Sequence, residues 1–246
     1  MSLQHQTDEQ DERPTDVGDN PAIVPSIVPY YTYILIASII AVVLVQFGTG
    51  LDASIVAAGF DKPLFLQSHE YWRILTGATV HGGIAHVLMN CYAFYSFGKI
   101  FEMLSNRAHL AIVFLLSALG GGILSLIFVP GGLSVGASGG VVGLIGYLAV
   151  YSFQRRRFIT PEFRKNLLIN IGFILVFGIV LYQTIDNFGH VGGLLTGAVY
   201  GLFQIPTDEH VDPREAGSSV EFIGIGAVMI YLVACAYSIL LILKVV

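Results

Sequence analysis

The chain has little charge. Only 12% of its 246 residues are Asp, Glu, Lys or Arg, about half the share of a soluble domain, and the mean hydropathy is +0.73. An ordinary water-soluble globule is therefore excluded. Cysteine is scarce as well. Cys91 and Cys235 both fall inside apolar stretches and show no metal-ligand spacing, which excludes a disulfide scaffold and reads as two buried thiols. No P-loop, dinucleotide fingerprint or metal cluster is present, so no cofactor and no metal is expected. The formal net charge of −5 sits in the N-terminal tail and in residues 206–221; there is no basic face for nucleic acid. A basic start is missing too, which argues against a signal or transit peptide.

What the chain has instead is apolar length. Stretches near 33–49, 84–101, 108–129, 136–153, 167–184, 189–205 and 222–243 approach the roughly 20 residues that cross a bilayer. The pattern predicts an all-α, polytopic membrane protein with seven spans. Residues 1–29 differ: Asp8, Glu9, Asp11, Glu12, Asp16 and Asp19 face a single Arg13, the composition of a disordered acidic tail. Tyr30, Tyr31 and Tyr33 then suit an interfacial aromatic belt. Arg155, Arg156, Arg157, Arg164, Lys165, Lys99, Arg107 and Arg214 all fall in connections on the side of the N-terminus, while Lys62, Arg73 and Lys244 fall opposite. This asymmetry predicts a cytoplasmic N-terminus and an outside C-terminus.

Polar side chains inside such spans are costly and are functional candidates by default. His81, His86 and Asn90 stand at the start of the second span, Ser138 at the start of the fourth and His190 at the start of the sixth. These three spans run in the same direction, so all five groups are expected in one layer near the outer face. Each has a structural reading alone: a span serine bonds a carbonyl four residues back, and a span histidine or asparagine joins helices. Together, Ser, His and amide donors are the parts of acyl transfer. Asp186, four before His190, reads as a helix cap.

Glycine is abundant around these groups. Ser138 lies in S-V-G-A-S-G-G-V-V-G, residues 134–143, and Gly139, Gly143 and Gly146 form a stripe on its span. His190, Gly193, Gly197 and Gly201 recur at helical spacing, within an arc of roughly 80°. Such stripes permit close approach of helices in membranes and would bring an imidazole to a serine hydroxyl. Pro130, Gly131 and Gly132 end the third span, leaving Ser138 at a helix start beside free backbone N–H groups.

These residues resemble the rhomboid family of intramembrane serine proteases. Gly136-Ala137-Ser138-Gly139 matches its G-x-S-G motif, His86 and Asn90 its His-then-Asn motif, and His190, Gly192 and Gly193 its H-x-G-G-like motif. Trp72-Arg73, followed by Thr76, matches the W-R motif, and Gly98 and Glu102 a Gly-x-x-x-Glu pair. The matches run in order over about 30–205. The resemblance implies a six-helix core over 30–205, a cytoplasmic linker over 206–221 and an additional transmembrane helix over 222–246, the "six plus one" arrangement. It implies a Ser-His dyad that cleaves transmembrane protein substrates near the outer face. Ser138 is the nucleophile and His190 the general base, then acid. His86, Asn90 and the Ser138 backbone N–H form the oxyanion site. Gly136, Gly139, Gly143, Gly193 and Gly197 support helix packing. Arg73 and Glu102 are structural in the family. Val142 replaces the aromatic residue that often stacks on the catalytic histidine, and the seventh span has no ionisable residue and no catalytic role. Membrane lipids and transmembrane substrates are the expected partners, and a prokaryotic plasma membrane the expected location.

Two other readings compete. A rhomboid-like pseudoprotease binds membrane clients without cutting them, but such relatives lack the Ser or the His, and both are present here. A small-solute transporter predicts midplane charges and repeated halves, and the sequence has neither.

Overall fold

The computed structural model of the chain describes residues 28–208 and 210–245. The acidic tail expected over 1–29 lies outside the described residues, except for Val28 and Pro29. Seven long helices are present among the described residues: α1 (Tyr30–Thr49), α5 (Ile84–Leu104), α6 (Arg107–Phe128), α7 (Ser138–Gln154), α8 (Pro161–Val180), α9 (Asn187–Gln204) and α10 (Ser218–Ile242). The segment between α1 and α5 holds α2 (Leu51–Ala58), strand β1 (Phe60–Asp61), α3 (Lys62–Gln67) and α4 (Arg73–Thr76). Strand β2 (Leu133–Ser134) precedes α7.

Four of these helices, α1, α6, α8 and α10, are long and apolar enough to cross a membrane. The other three long helices carry the glycines and the polar candidates, which shorten or dilute their apolar runs; α7 has only 17 residues. Helix α8 starts six residues before the expected 167, because Thr160 caps it, accepting a hydrogen bond from the Phe163 N–H at 3.2 Å, with Pro161 in the first turn. Arg164 and Lys165, expected in a loop, therefore lie on the helix.

Helices α6, α7 and α9 pack mutually and form the centre, with α7 closest to α9. Helix α10 lies against α6 and α1, and its Tyr231 Oη donates to the Ala78 carbonyl, just after α4, at 3.0 Å. Helix α8 touches α7 and α9 lightly, and only its Leu167 and Gly178 are buried.

The segment before α5 is stitched to the chain leading into α7. β1 pairs antiparallel with β2, Phe60 opposite Ser134 and Asp61 opposite Leu133. The Gly136 N–H donates to the Gly77 carbonyl at 2.9 Å. Buried Arg73 donates from Nη1 to the Gly59 carbonyl at 2.9 Å and pairs with Glu70, so its work is structural. Gly98 and Glu102 are structural too: the Glu102 carboxylate accepts from Thr32 N and Oγ1 at 2.8 and 2.7 Å. A Cβ on Gly98 would stand 2.6 Å from Thr32 Oγ1.

Candidate active site

Ser138 is the first residue of α7, and Ala137 is its cap. The first bond of the helical ladder runs from the Val141 N–H to the Ala137 carbonyl. The N–H groups of Ser138, Gly139 and Gly140 precede that ladder, the usual condition of a helix's first turn. His190 stands in the first turn of α9, and its Nε2 lies 2.9 Å from Ser138 Oγ. Both side chains are half-buried.

The glycines make this approach feasible. A Cβ on Gly193 would overlap the Gly139 carbonyl, and one on Gly197 would overlap the Gly143 carbonyl. Gly146 meets the Leu194 carbonyl in the same way, and Gly143 also receives the Ser117 side chain of α6. The two helices touch backbone to backbone for two turns below the Ser138–His190 contact. In a bilayer, such close van der Waals packing is what holds helices together. Gly201 is looser, since its Cβ would meet Tyr147 at 3.2 Å.

His86 and Asn90 come from α5 and lie over the chain just before Ser138. A Cβ on Gly136 would stand 2.7 Å from His86 Nε2 and 3.8 Å from Asn90 Nδ2, and Gly136 has a φ of +115°. Glycine is thus required there twice over, for its backbone and for the imidazole above it. The Gly82 N–H donates to His86 Nδ1 at 3.3 Å, and Asn90 Nδ2 donates to its own helix at the His86 carbonyl, 3.0 Å. His81 packs beside His86, ring centroids 5.1 Å apart, and its backbone is held by Gln46, whose Oε1 accepts from the His81 N–H at 2.9 Å.

Asp186 caps α9, accepting from the Gly189 N–H at 2.8 Å. Its other oxygen accepts from Ser125 and Ser134 Oγ, both at 2.5 Å. No carboxylate is bonded to His190 Nδ1 among the described residues. The constellation is therefore a Ser-His pair without an orienting acid. Val142 is buried, and His190 makes no aromatic ring contact among the described residues. A cavity of about 50 Å³ adjoins Ser138 and Gly139 and reaches Ser134 and Asp186, room for a water or two. Among the described residues no group of His, Cys, Asp and Glu could hold a metal ion.

Lys62 was not expected near this site. As a loop lysine it reads as a solvated charge, yet its side chain is 1% exposed and its Nζ donates to Ser134 Oγ at 2.9 Å. The only signal was its neighbourhood, since it sits between Ala57-Ala58-Gly59-Phe60 and Leu64-Phe65-Leu66.

Comparison with known proteins gives the same direction. The chain is 32% identical over 172 residues to Rhomboid protease GluP of Bacillus subtilis (strain 168), covering 69% of this chain and 34% of that one. It is 35% identical over 144 residues to RHOMBOID-like protein 6, mitochondrial, of Arabidopsis thaliana, covering 58% and 46%. It is also 29% identical over 139 residues to Inactive rhomboid protein 1 of Papio anubis, covering 56% and 16%. The chain spans about a third to a half of the length of the first two relatives. The Rhomboid domain model matches residues 68–207, more than half of the chain and all of the constellation built on α5, α7 and α9. With its apolar helices, this makes it an integral, multi-pass membrane protein, and the chain belongs to the rhomboid family.

Proposed function

We propose that the chain is an intramembrane serine endopeptidase that cleaves transmembrane protein substrates near the outer membrane face. The observation that carries this reading is the 2.9 Å contact between Ser138 Oγ and His190 Nε2 at the head of a glycine-packed seam. His190 Nε2 takes the hydroxyl proton as Ser138 Oγ attacks the scissile carbonyl carbon. The resulting oxyanion lies toward the Ser138 N–H, with His86 and Asn90 as further donors across Gly136. His190 then delivers its proton to the leaving amine, giving an acyl-enzyme and a free amino terminus. A water gives up a proton to His190 and attacks the ester. Collapse returns the proton to Ser138 Oγ and releases the acid.

All seven long helices cross the membrane in this reading, six as the core over 30–205 and α10 as an addition after the linker 206–221. The N-terminus is cytoplasmic and the C-terminus outside, in the plasma membrane of a prokaryote. The relative named inactive keeps a second reading in view, a binder of membrane clients without cleavage. Ser138 and His190 in mutual contact favour cleavage.

The test uses the purified full chain in detergent with a panel of single-span membrane proteins, cuts being mapped by mass spectrometry. Wild type is expected to cut at least one and to take an alkyl fluorophosphonate at Ser138. Ser138→Ala and His190→Ala are expected to lose all cutting while remaining folded. A Ser138→Ala protein that cuts at the wild-type rate would sink the mechanism, and wild type that neither cuts nor labels supports the client-binding reading.

A further inference from the structure

The Ser138–His190 contact has a companion four residues upstream on both segments. Ser134 precedes Ser138 by four positions, Asp186 precedes His190 by four, and Ser134 Oγ donates to Asp186 Oδ2 at 2.5 Å. Two ties thus run side by side between the same two segments. The upstream one is reinforced by two further side chains. Ser125, at the end of α6, donates to the same Asp186 oxygen at 2.5 Å. Lys62 reaches in as well, its Nζ 2.9 Å from Ser134 Oγ and 4.0 Å from Asp186 Oδ2.

The placement of each member matters. Asp186 also takes the Gly189 N–H at 2.8 Å, so a shift of its carboxylate shifts the first turn of α9, where His190 stands. Ser134 lies in β2, paired with Phe60, directly before the Gly136 turn and the nucleophile. Lys62 follows β1, and its own backbone N–H donates to the Gly132 carbonyl at 3.2 Å. An ammonium 1% exposed is costly unless paired, and a lysine used only for solubility would not be drawn into this position. Burial pulls the Lys62 ammonium below the ordinary lysine range and Asp186 pushes it back.

We propose that Lys62, Ser134 and Asp186 form a clasp that sets the separation of Ser138 Oγ and His190 Nε2, with Lys62 and Ser134 as positioning residues for catalysis. The clasp rests on the dyad reading above. Ser134 and Asp186 line the cavity beside Ser138, but among the described residues no side chain of the clasp is hydrogen-bonded to the Ser138 or His190 side chain. The action of the clasp is to hold the serine segment against the first turn of the His190 helix, where an error on the order of 1 Å costs about 10² in rate.

The test compares two hydroxyls that share one acceptor. Ser134→Ala and Ser125→Ala each remove a hydrogen bond to Asp186 Oδ2, but only Ser134 belongs to the nucleophile's segment. Melting temperature, rate of fluorophosphonate labelling at Ser138, kcat and KM are measured on the full chain with a single-span substrate that wild type cuts. Similar losses of melting temperature are expected for both. Ser134→Ala is expected to lower labelling rate and kcat roughly tenfold, with KM within about twofold, and Ser125→Ala several times less. Lys62→Met is expected to follow Ser134→Ala, and Lys62→Arg to recover part of the loss. The Lys62→Met, Ser134→Ala pair is expected to be no slower than the worse single variant by more than about twofold, because one tie is broken by either change. Equal kinetic losses in Ser134→Ala and Ser125→Ala would overturn the clasp, as would wild-type labelling in Lys62→Met. If Lys62→Met does not fold, the two serine variants decide. Wild type that takes no label defeats the dyad reading itself, whereas labelled wild type with equally labelled Ser134→Ala defeats only the clasp.

Discussion

Helix α8 and helix α6 are of similar length, and both are apolar enough to cross a membrane, yet α6 buries twelve residues and α8 only Leu167 and Gly178. The helices pressed between them, α7 and α9, are richer in glycine and carry Ser138 and His190. In water an apolar helix would be driven to bury its large apolar side chains. Here Leu168, Phe173, Val176 and Ile179 of α8 face outward, because lipid is as apolar as they are and rewards no burial. Among the four most apolar helices burial follows apolarity, and in α7 and α9 small residues and polar partners take its place. The centre is held by backbone contact and α8 by little.

That difference can be broken or sharpened with single glycines. The largest effect is expected at Gly197, whose Cβ would overlap the Gly143 carbonyl of the facing helix. Gly197→Val is expected to lower peptidase activity by about 10² or more and to reduce the melting temperature clearly, with Gly197→Ala milder. Activity and melting temperature at wild-type level would end the close-packing account. A smaller effect is expected at Gly178, the tight point of α8, where a Cβ would run into the Asn187 side chain. A side chain can turn aside where a backbone cannot, so Gly178→Ala is expected to cost roughly 1 kcal/mol, read by thermal or denaturant unfolding. A loss as large as that of Gly197→Val would show α8 to be as firmly seated as α9. The smallest effect is expected at Gly172 of α8, where a Cβ would meet nothing within 4 Å. Gly172→Val is expected to change stability by less than about 0.5 kcal/mol, as is Leu195→Val on α9, where that side chain is 55% exposed. If Gly172→Val unfolds the chain as Gly197→Val does, the contrast between the two regions is gone.

The sequence made the site more legible than its supports. Ser138, His190, His86 and Asn90 stand out because a polar side chain is conspicuous in an apolar run. The glycine spacing on α7 and α9 is readable for the same reason, since an unneeded glycine weakens a helix. Lys62 and Arg73 are different. Both are buried; Arg73 is marked only by its motif and has a local partner in Glu70, whereas the Lys62 partners, Ser134 and Asp186, come from segments that no local pattern links to it. The two-residue strands β1 and β2 are too short to show any alternation. At the start of α8 the signal was present in Thr160-Pro161, but Arg164 and Lys165 outweighed it in an argument built on apolar length.

The order of residues along the chain has a consequence for the timing of activity. Ser138 belongs to α7 and His190 to α9, and the clasp adds Lys62, which precedes both. In the mechanism proposed above, a chain delivered to the membrane from its N-terminus carries the nucleophile two helices before the base is present. During that interval Ser138 is an ordinary alcohol of weak reactivity. Non-local contacts of this kind are the slow ones to form, so in that mechanism the hydroxyl is activated only when the core has closed around it. Under the proposed mechanism a chain that stops before α9 is expected to take no fluorophosphonate at Ser138 and to cut no neighbouring polypeptide.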